Sequence, residues 1–271
     1  MLKQRVITAA ILLVLFGLLL SFASRSFFTL AIAGVTAAAA WEWSRLAGVK
    51  SDMWQSAYAS AIGILTLAFS MNVPFNYDAY WLLLIGFLLW LVMIVTLFIQ
   101  PRLAPIESTS TQLLLSGVAL LPLAGFSIVW LRHDASAASN GLLLYALALV
   151  WVMDIGAYFS GKRFGKRKLS PLISPGKTWE GVYGGIAAAC LLLVIVVIFS
   201  FFPGNKTFAL IVASVVAAAV SVIGDLFESR IKRASGYKDS SQMLPGHGGV
   251  LDRIDGVMAS LPVFAFLWAW L

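Results

Sequence analysis

Six carboxylates, Glu42, Asp154, Asp225, Glu228, Asp252 and Asp255, stand near corresponding ends of apolar stretches, where a charge is costly and marks a functional candidate. Asp225 and Glu228 are three residues apart, as are Asp252 and Asp255, so each pair shares a face if its segment is helical. Several carboxylate oxygens could then converge on one hard cation such as Mg2+. The plainer reading pairs each acid with a neighbouring cation, Asp225 with Lys232 or Asp252 on the Arg253 side of the loop.

Between these acids runs Leu244-Pro245-Gly246-His247-Gly248-Gly249, whose glycines let the backbone turn sharply and bring N–H groups close to a ligand. Lys232, Arg233, Lys238 and Arg253 surround it, so the chemistry expected is phosphate binding, with lysine as point charge and arginine gripping two oxygens. His247 could serve as base, metal ligand or hydrogen-bond donor to phosphate, and without a second nearby histidine it argues against zinc. A second basic loop runs from Lys162 to Lys168 and on through Ser174-Pro175-Gly176-Lys177-Thr178. Its Gly-Lys-Thr is not a Walker A loop, because Pro171 stands where that motif needs glycine and no strand precedes it. The expectation is a bent loop entering a helix at Thr178 or Glu180, where backbone donors can meet a phosphate. Trp41, Trp43 and Trp179 read as interfacial anchors rather than a nucleobase platform.

The elements that position these loops are membrane spans. The chain is 61% apolar and 11% charged with mean hydropathy +0.92, whereas soluble domains run at roughly 45–50% and 25%. Hydropathy gives about nine candidate spans, centred near Leu15, Ala37, Leu65, Leu89, Leu120, Ala148, Leu193, Val215 and Leu261, an all-α polytopic protein. The N-terminal run has signal-peptide features, with Lys3 and Arg5 ahead of an apolar core and Ser21-Phe22-Ala23 as a cleavage-like site, but is expected to remain as the first span. Cys190, the single cysteine, excludes a disulfide within the chain. No repeat divides the sequence, which reads as one integral domain over residues 1–271 with its chemistry in about 150–271. With nine spans, 16 of the 19 cations fall on the side of the N-terminus and the motif loops. The positive-inside rule makes that side cytoplasmic and puts the C-terminus opposite. Attraction of these loops to anionic headgroups is the simpler use of the same charge.

The run Ser229, Ile231, Lys232-Arg233, Lys238-Asp239, Ser241, Leu244-Pro245, His247-Gly248-Gly249-Val250, Asp252-Arg253-Ile254-Asp255 resembles the complete signature of the phosphatidate cytidylyltransferases, or CDP-diacylglycerol synthases. The likeness extends to Ser174-Pro175-Gly176-Lys177-Thr178-Trp179, to Asp154 ahead of Gly156-Ala157-Tyr158, and to Ser221-Val222-Ile223-Gly224-Asp225. It is weak before about residue 140, where only Trp41-Glu42-Trp43 is familiar. The resemblance implies transfer of CMP from CTP to phosphatidic acid, with Mg2+ required, in a dimeric nine-span protein of the inner membrane that acts on no nucleic acid. It further implies that Asp225, Asp252 and Asp255 hold the divalent ion, beside a second, monovalent one, while Asp154 lines the same cavity. Lys177, Lys232, Arg233 and His247 would then contact the CTP phosphates or the lipid headgroup, with Lys238, Arg253, Ser174, Gly248 and Gly249 completing the substrate site. An ion-coupled transporter also carries intramembrane acids but would show two related halves, and a polyisoprenol kinase likewise brings CTP to a lipid. A CDP-alcohol phosphotransferase fits worse, because Asp255-Gly256 is not followed by that family's Ala-Arg and later paired aspartates.

Overall fold

The computed structural model describes residues 2–73, 77–99, 110–132 and 137–271. Arg102, one of the cations counted for orientation, lies outside them. Among the described residues there are nine α-helices: α1 (Leu2–Phe22), α2 (Arg25–Leu46), α3 (Asp52–Asn72), α4 (Tyr77–Ile99), α5 (Ser110–Leu131), α6 (Ala137–Phe164), α7 (Trp179–Ile198), α8 (Thr207–Ala234) and α9 (Leu251–Trp270). One two-stranded antiparallel hairpin, β1 (Lys168–Ser170) and β2 (Ser174–Thr178), interrupts the helices between α6 and α7.

Nine helices are not nine apolar spans. By length and composition only five described helices, α4 to α8, are apolar enough to cross a membrane, which corrects the expected count. The physical reason is visible in three of the others. In α2, α3 and α9 polar side chains face the bundle interior, including Thr36, Glu42 and Ser44, then Gln55, Thr66 and Ser70, then Ser260, all buried. Such residues lower a segment's average without exposing polarity to lipid; Thr36 and Thr66 satisfy one another across α2 and α3 at 3.0 Å.

The most buried helix is α9, with every residue from Gly256 to Phe266 inside. It serves two apolar clusters: Val257, Leu261 and Phe264 pack with α6 and α7, while Met258 and Val263 pack with α2, α3 and α5. Beyond its charged first turns, Asp252 to Asp255, the helix is apolar almost all round, as a central segment requires. Around it, α6 packs most extensively on α7, and α8 on α9.

Two glycines set how close these pairs come. A Cβ at Gly156 would stand 2.7 Å from the Ala188 Cβ and 3.1 Å from the Gly185 Cα, so α6 and α7 touch nearly backbone to backbone. A Cβ at Gly224 would stand 2.5 Å from the Asp255 carbonyl oxygen, which brings α8 onto the first turns of α9. Both contacts lie one or two residues from an acid of the candidate set.

Hydrogen bonds fasten helix ends to one another at both ends of the bundle. At one end Ser235 Oγ donates to Leu46 O at 2.6 Å and Thr8 Oγ1 to Pro245 O at 3.1 Å. At the other, the buried Arg132 donates to Leu20 O and Ala23 O, each at 2.8 Å, and to Asn140 Oδ1, with its guanidinium stacked over Phe28. Lys206 reaches Trp268 O at that same end.

Candidate active site

Each loop is built by its own sequence before it meets the site. Thr178 caps α7 by accepting from Gly181 N at 3.1 Å, as expected for a loop ending there. Glu180 then folds the basic segment back, its Oε2 accepting Lys166 N and Arg167 N at 3.0 and 3.1 Å while Oε1 takes Arg167 Nε. Lys168 donates to Pro175 O at 2.8 Å. Arg167 and Lys168 therefore shape the hairpin through their side chains and Lys166 through its amide, while Lys162 and Lys177 line the cavity beside it.

That cavity, of about 620 Å³, lies between α6, α7, α8, the hairpin and the start of α9. Asp154, Lys177, Asp225, Arg253 and Asp255 line it, with Ser174 and Gly176 at its hairpin edge. Lys177 is ion-paired with Asp225, whose other oxygen accepts Ser229 Oγ at 3.2 Å. Asp255 Oδ1 accepts its neighbour's Gly256 N at 2.7 Å. Three carboxylates thus face one space with lone pairs to spare.

A larger groove of about 1210 Å³ opens on the opposite side of the same acids. Its walls are apolar: Leu12, Leu15, Phe16 and Leu19 of α1, Phe27 and Val35 of α2, and Trp151 of α6. Its polar end is formed by His247 together with Asp154, Asp252, Arg253 and Asp255, and the last four line both spaces. His247 Nδ1 is buried there without a hydrogen-bond partner.

The signature loop is held by its own polar groups. Gly248 takes φ +81°, a left-handed conformation suited to glycine, and its carbonyl accepts Leu244 N at 2.8 Å. Asp252 Oδ2 accepts Ser240 N and Gly249 N at 3.0 and 2.8 Å and lies 2.9 Å from Ser240 Oγ, whose one proton it shares with Glu42 Oε2. Asp252 Oδ1 meets Lys232 Nζ at 2.5 Å, and Lys232 also meets Glu228 Oε2 at 2.5 Å. The pairing suggested by sequence proximity is therefore exchanged: Lys232 bonds Asp252, and Asp225 takes Lys177.

The predicted residues divide accordingly. Asp154, Asp225, Asp252, Asp255, Lys177, Arg253 and Ser174 are brought together, and His247 joins them from the groove side. Lys232 lines the polar cavity while its ammonium sits between two carboxylates. Arg233 lies apart, donating to Ile173 O and Tyr237 O, so it ties α8 to the hairpin. Lys238 is exposed and lines neither space. The sequence reading placed Lys162 in a candidate phosphate loop but gave no site role to Asp239 or to the apolar face of α1, for which the hydropathy run gave no directional signal.

A polar cavity and an apolar groove in a helical membrane protein thus meet at a row of acids and an arginine. The model of the cytidylyltransferase family matches residues 3–271. The phosphatidate cytidylyltransferase of Pseudomonas aeruginosa is 45% identical over 99% of this chain and 98% of its own length. That of Haemophilus influenzae is 39% identical over 99% of each chain, and that of Brucella suis 35% identical over 96% of this chain and 90% of its own. The chain belongs to the phosphatidate cytidylyltransferase, or CDP-diacylglycerol synthase, family.

Proposed function

We propose that this protein transfers the CMP unit of CTP to phosphatidic acid, with the nucleotide in the polar cavity and the acyl chains in the groove along α1. The carrying observation is the shared border, Asp154, Asp252, Arg253 and Asp255, because the reacting atoms of both substrates must meet where the two spaces do. A phosphate oxygen of the lipid attacks the α-phosphorus, the bond from that phosphorus to the β-phosphate bridge breaks, and pyrophosphate leaves. A phosphomonoester has its second pKa at about 6, so the nucleophile is largely ionised near neutrality and needs no enzyme base. The obstacle is repulsion between anions. Lys177 and Arg253, which line the polar cavity, would neutralise them, and holding both reactants in line would supply the remaining advantage.

Among the described residues no group of three His, Cys, Asp or Glu forms a metal cage. Mg2+ does not require one, since it is commonly held by one or two carboxylates together with substrate phosphates. The donors fit that use: Asp225 and Asp255 are hard oxygen ligands facing the nucleotide cavity, and the Lys177 ammonium against Asp225 marks a carboxylate that accepts a cation from that side. Asp225 and Asp255 would hold the ion, with Asp154 and Asp252 beside them and a second, monovalent cation within reach of the same acids. Bound there, it would offset charge on the phosphates and the leaving pyrophosphate.

The same reading makes the protein a multi-pass inner-membrane enzyme, with the N-terminus and the shared border at the cytoplasmic face, the C-terminus opposite, and two copies per enzyme. The 16 cations on one side support the orientation, and the family resemblance supports the pairing. Cysteine labelling of the two termini in sealed vesicles should report opposite sides. Purified protein incubated with phosphatidic acid and CTP labelled at the α or the γ position tests the chemistry. Label from the α position on the lipid is expected; γ label on lipid would make it a kinase, and no label a transporter.

A further inference from the structure

Glu42 lies on α2, some two hundred residues before the signature loop in sequence, yet it is fully buried against that loop. Each carboxylate oxygen accepts two hydrogen bonds. Oε1 takes Ser241 Oγ at 2.5 Å and Val250 N at 2.9 Å; Oε2 takes Ser240 Oγ at 2.8 Å and Leu251 N at 2.7 Å. The two backbone donors open α9, whose own N-cap residue, Val250, offers no side-chain cap. Glu42 supplies that cap from another helix, with its negative charge at the positive end of the α9 dipole.

The contact reaches the site through Ser240, whose hydroxyl stands 2.8 Å from Glu42 Oε2 and 2.9 Å from Asp252 Oδ2. The packing leaves no slack: a Cβ at Gly249 would stand 2.5 Å from both Glu42 oxygens. Only a carboxylate suits four donors. A glutamine offers one oxygen and one NH2, which would face a backbone N–H that cannot turn away.

We propose that Glu42 is a positioning residue for the transfer reaction, fixing the 240–251 loop and the first turn of α9 so that Asp252, Arg253 and Asp255 point at the border between the two cavities. The role assigned to these groups rests on the transferase reading above. The clamp itself rests on four hydrogen bonds.

The test uses the purified full-length chain in lipid nanodiscs and compares wild type with Glu42→Gln, Ser240→Ala and Tyr145→Phe. The last breaks the buried bond between Tyr145 and Ser214, made at 2.6 Å between α6 and α8 and away from the site. Hydrogen exchange measured by mass spectrometry reads the clamp without reference to activity: Glu42→Gln should speed exchange in residues 239–251 about tenfold, with α7 unchanged. Per folded molecule, kcat should fall about 10²-fold while the KM for CTP moves far less, as misplacement of reacting groups predicts. Ser240→Ala, which keeps both backbone contacts, should shift kcat in the same direction by about tenfold and serves if Glu42→Gln does not fold. Tyr145→Phe should lose thermal stability and keep kcat. Unchanged exchange overturns the clamp. Faster exchange with wild-type kcat, or a kcat loss that only follows the loss of folded protein as in Tyr145→Phe, overturns the positioning role. A wild-type chain that moves no α label onto lipid removes the transferase reading and, with it, the positioning role; the exchange measurement still decides the clamp.

Discussion

Two sets of acids sit side by side and are used in opposite ways. Around the signature loop Glu42 and Asp252 have their oxygens filled by backbone amides, hydroxyls and Lys232. Across the polar cavity, Asp225 holds Lys177 and a serine, and Asp255 only its neighbour's amide. The residue type is the same, and saturation separates the roles. A carboxylate whose lone pairs are spent holds the chain in place, whereas one with lone pairs open to a cavity can take a cation or orient a substrate.

The sharpest separation should come from Asp225→Asn, which removes charge from the unsaturated set. Transfer is expected to fall about 10³-fold, the scale of losing a preorganised electrostatic partner, with little change in unfolding temperature because the partly exposed pair with Lys177 adds little stability. Near-wild-type turnover would break the comparison. Next, Lys232→Met strips the saturated set of its cation and leaves Glu228 and Asp252 facing each other in a buried space. A loss of about 3–5 kcal/mol in chemical denaturation is expected, since breaking a buried pair strands charge. A variant as stable as wild type would mean that Lys232 serves substrate instead.

His247→Gln is expected to weaken substrate use about tenfold, the loss of a hydrogen bond to a charged group. The rise of rate through pH 6–7 should remain, because the lipid phosphate, with its pKa of about 6, supplies that limb. Disappearance of the limb with imidazole rescue would identify a base. The smallest effect belongs to Lys238→Ala. Exposed and outside both spaces, Lys238 should change kcat/KM by less than about threefold at moderate salt.

The acids were legible in the sequence because charge inside apolar runs has few bland uses, and the glycines of the loop marked a backbone held in unusual conformation. Which cation meets which acid was not legible. Lys232 is four residues from Glu228 along α8 yet twenty from Asp252, and the long link depends on Gly224 letting α8 and α9 touch. The nine segments were visible as helices. Their division into five strongly apolar ones and more polar interior ones was not fully so, because hydropathy averages around a helix and cannot see which face Thr66 or Ser260 presents. Likewise Glu42 stood out as an acid, but nothing in its neighbours along the chain named Val250 and Leu251 as its donors.

The fastening of α1 has a consequence for traffic through the groove it walls. One end is tied by Thr8 to Pro245, the other by a buried arginine that two of its last carbonyls share. Swinging that end outward would take two of the three acceptors from the buried Arg132 guanidinium and leave it Asn140 Oδ1, a costly loss for a buried charge. In the transferase reading α1 then stands as a fixed wall of the groove, and lipid tails entering it would slide along a slot of set width.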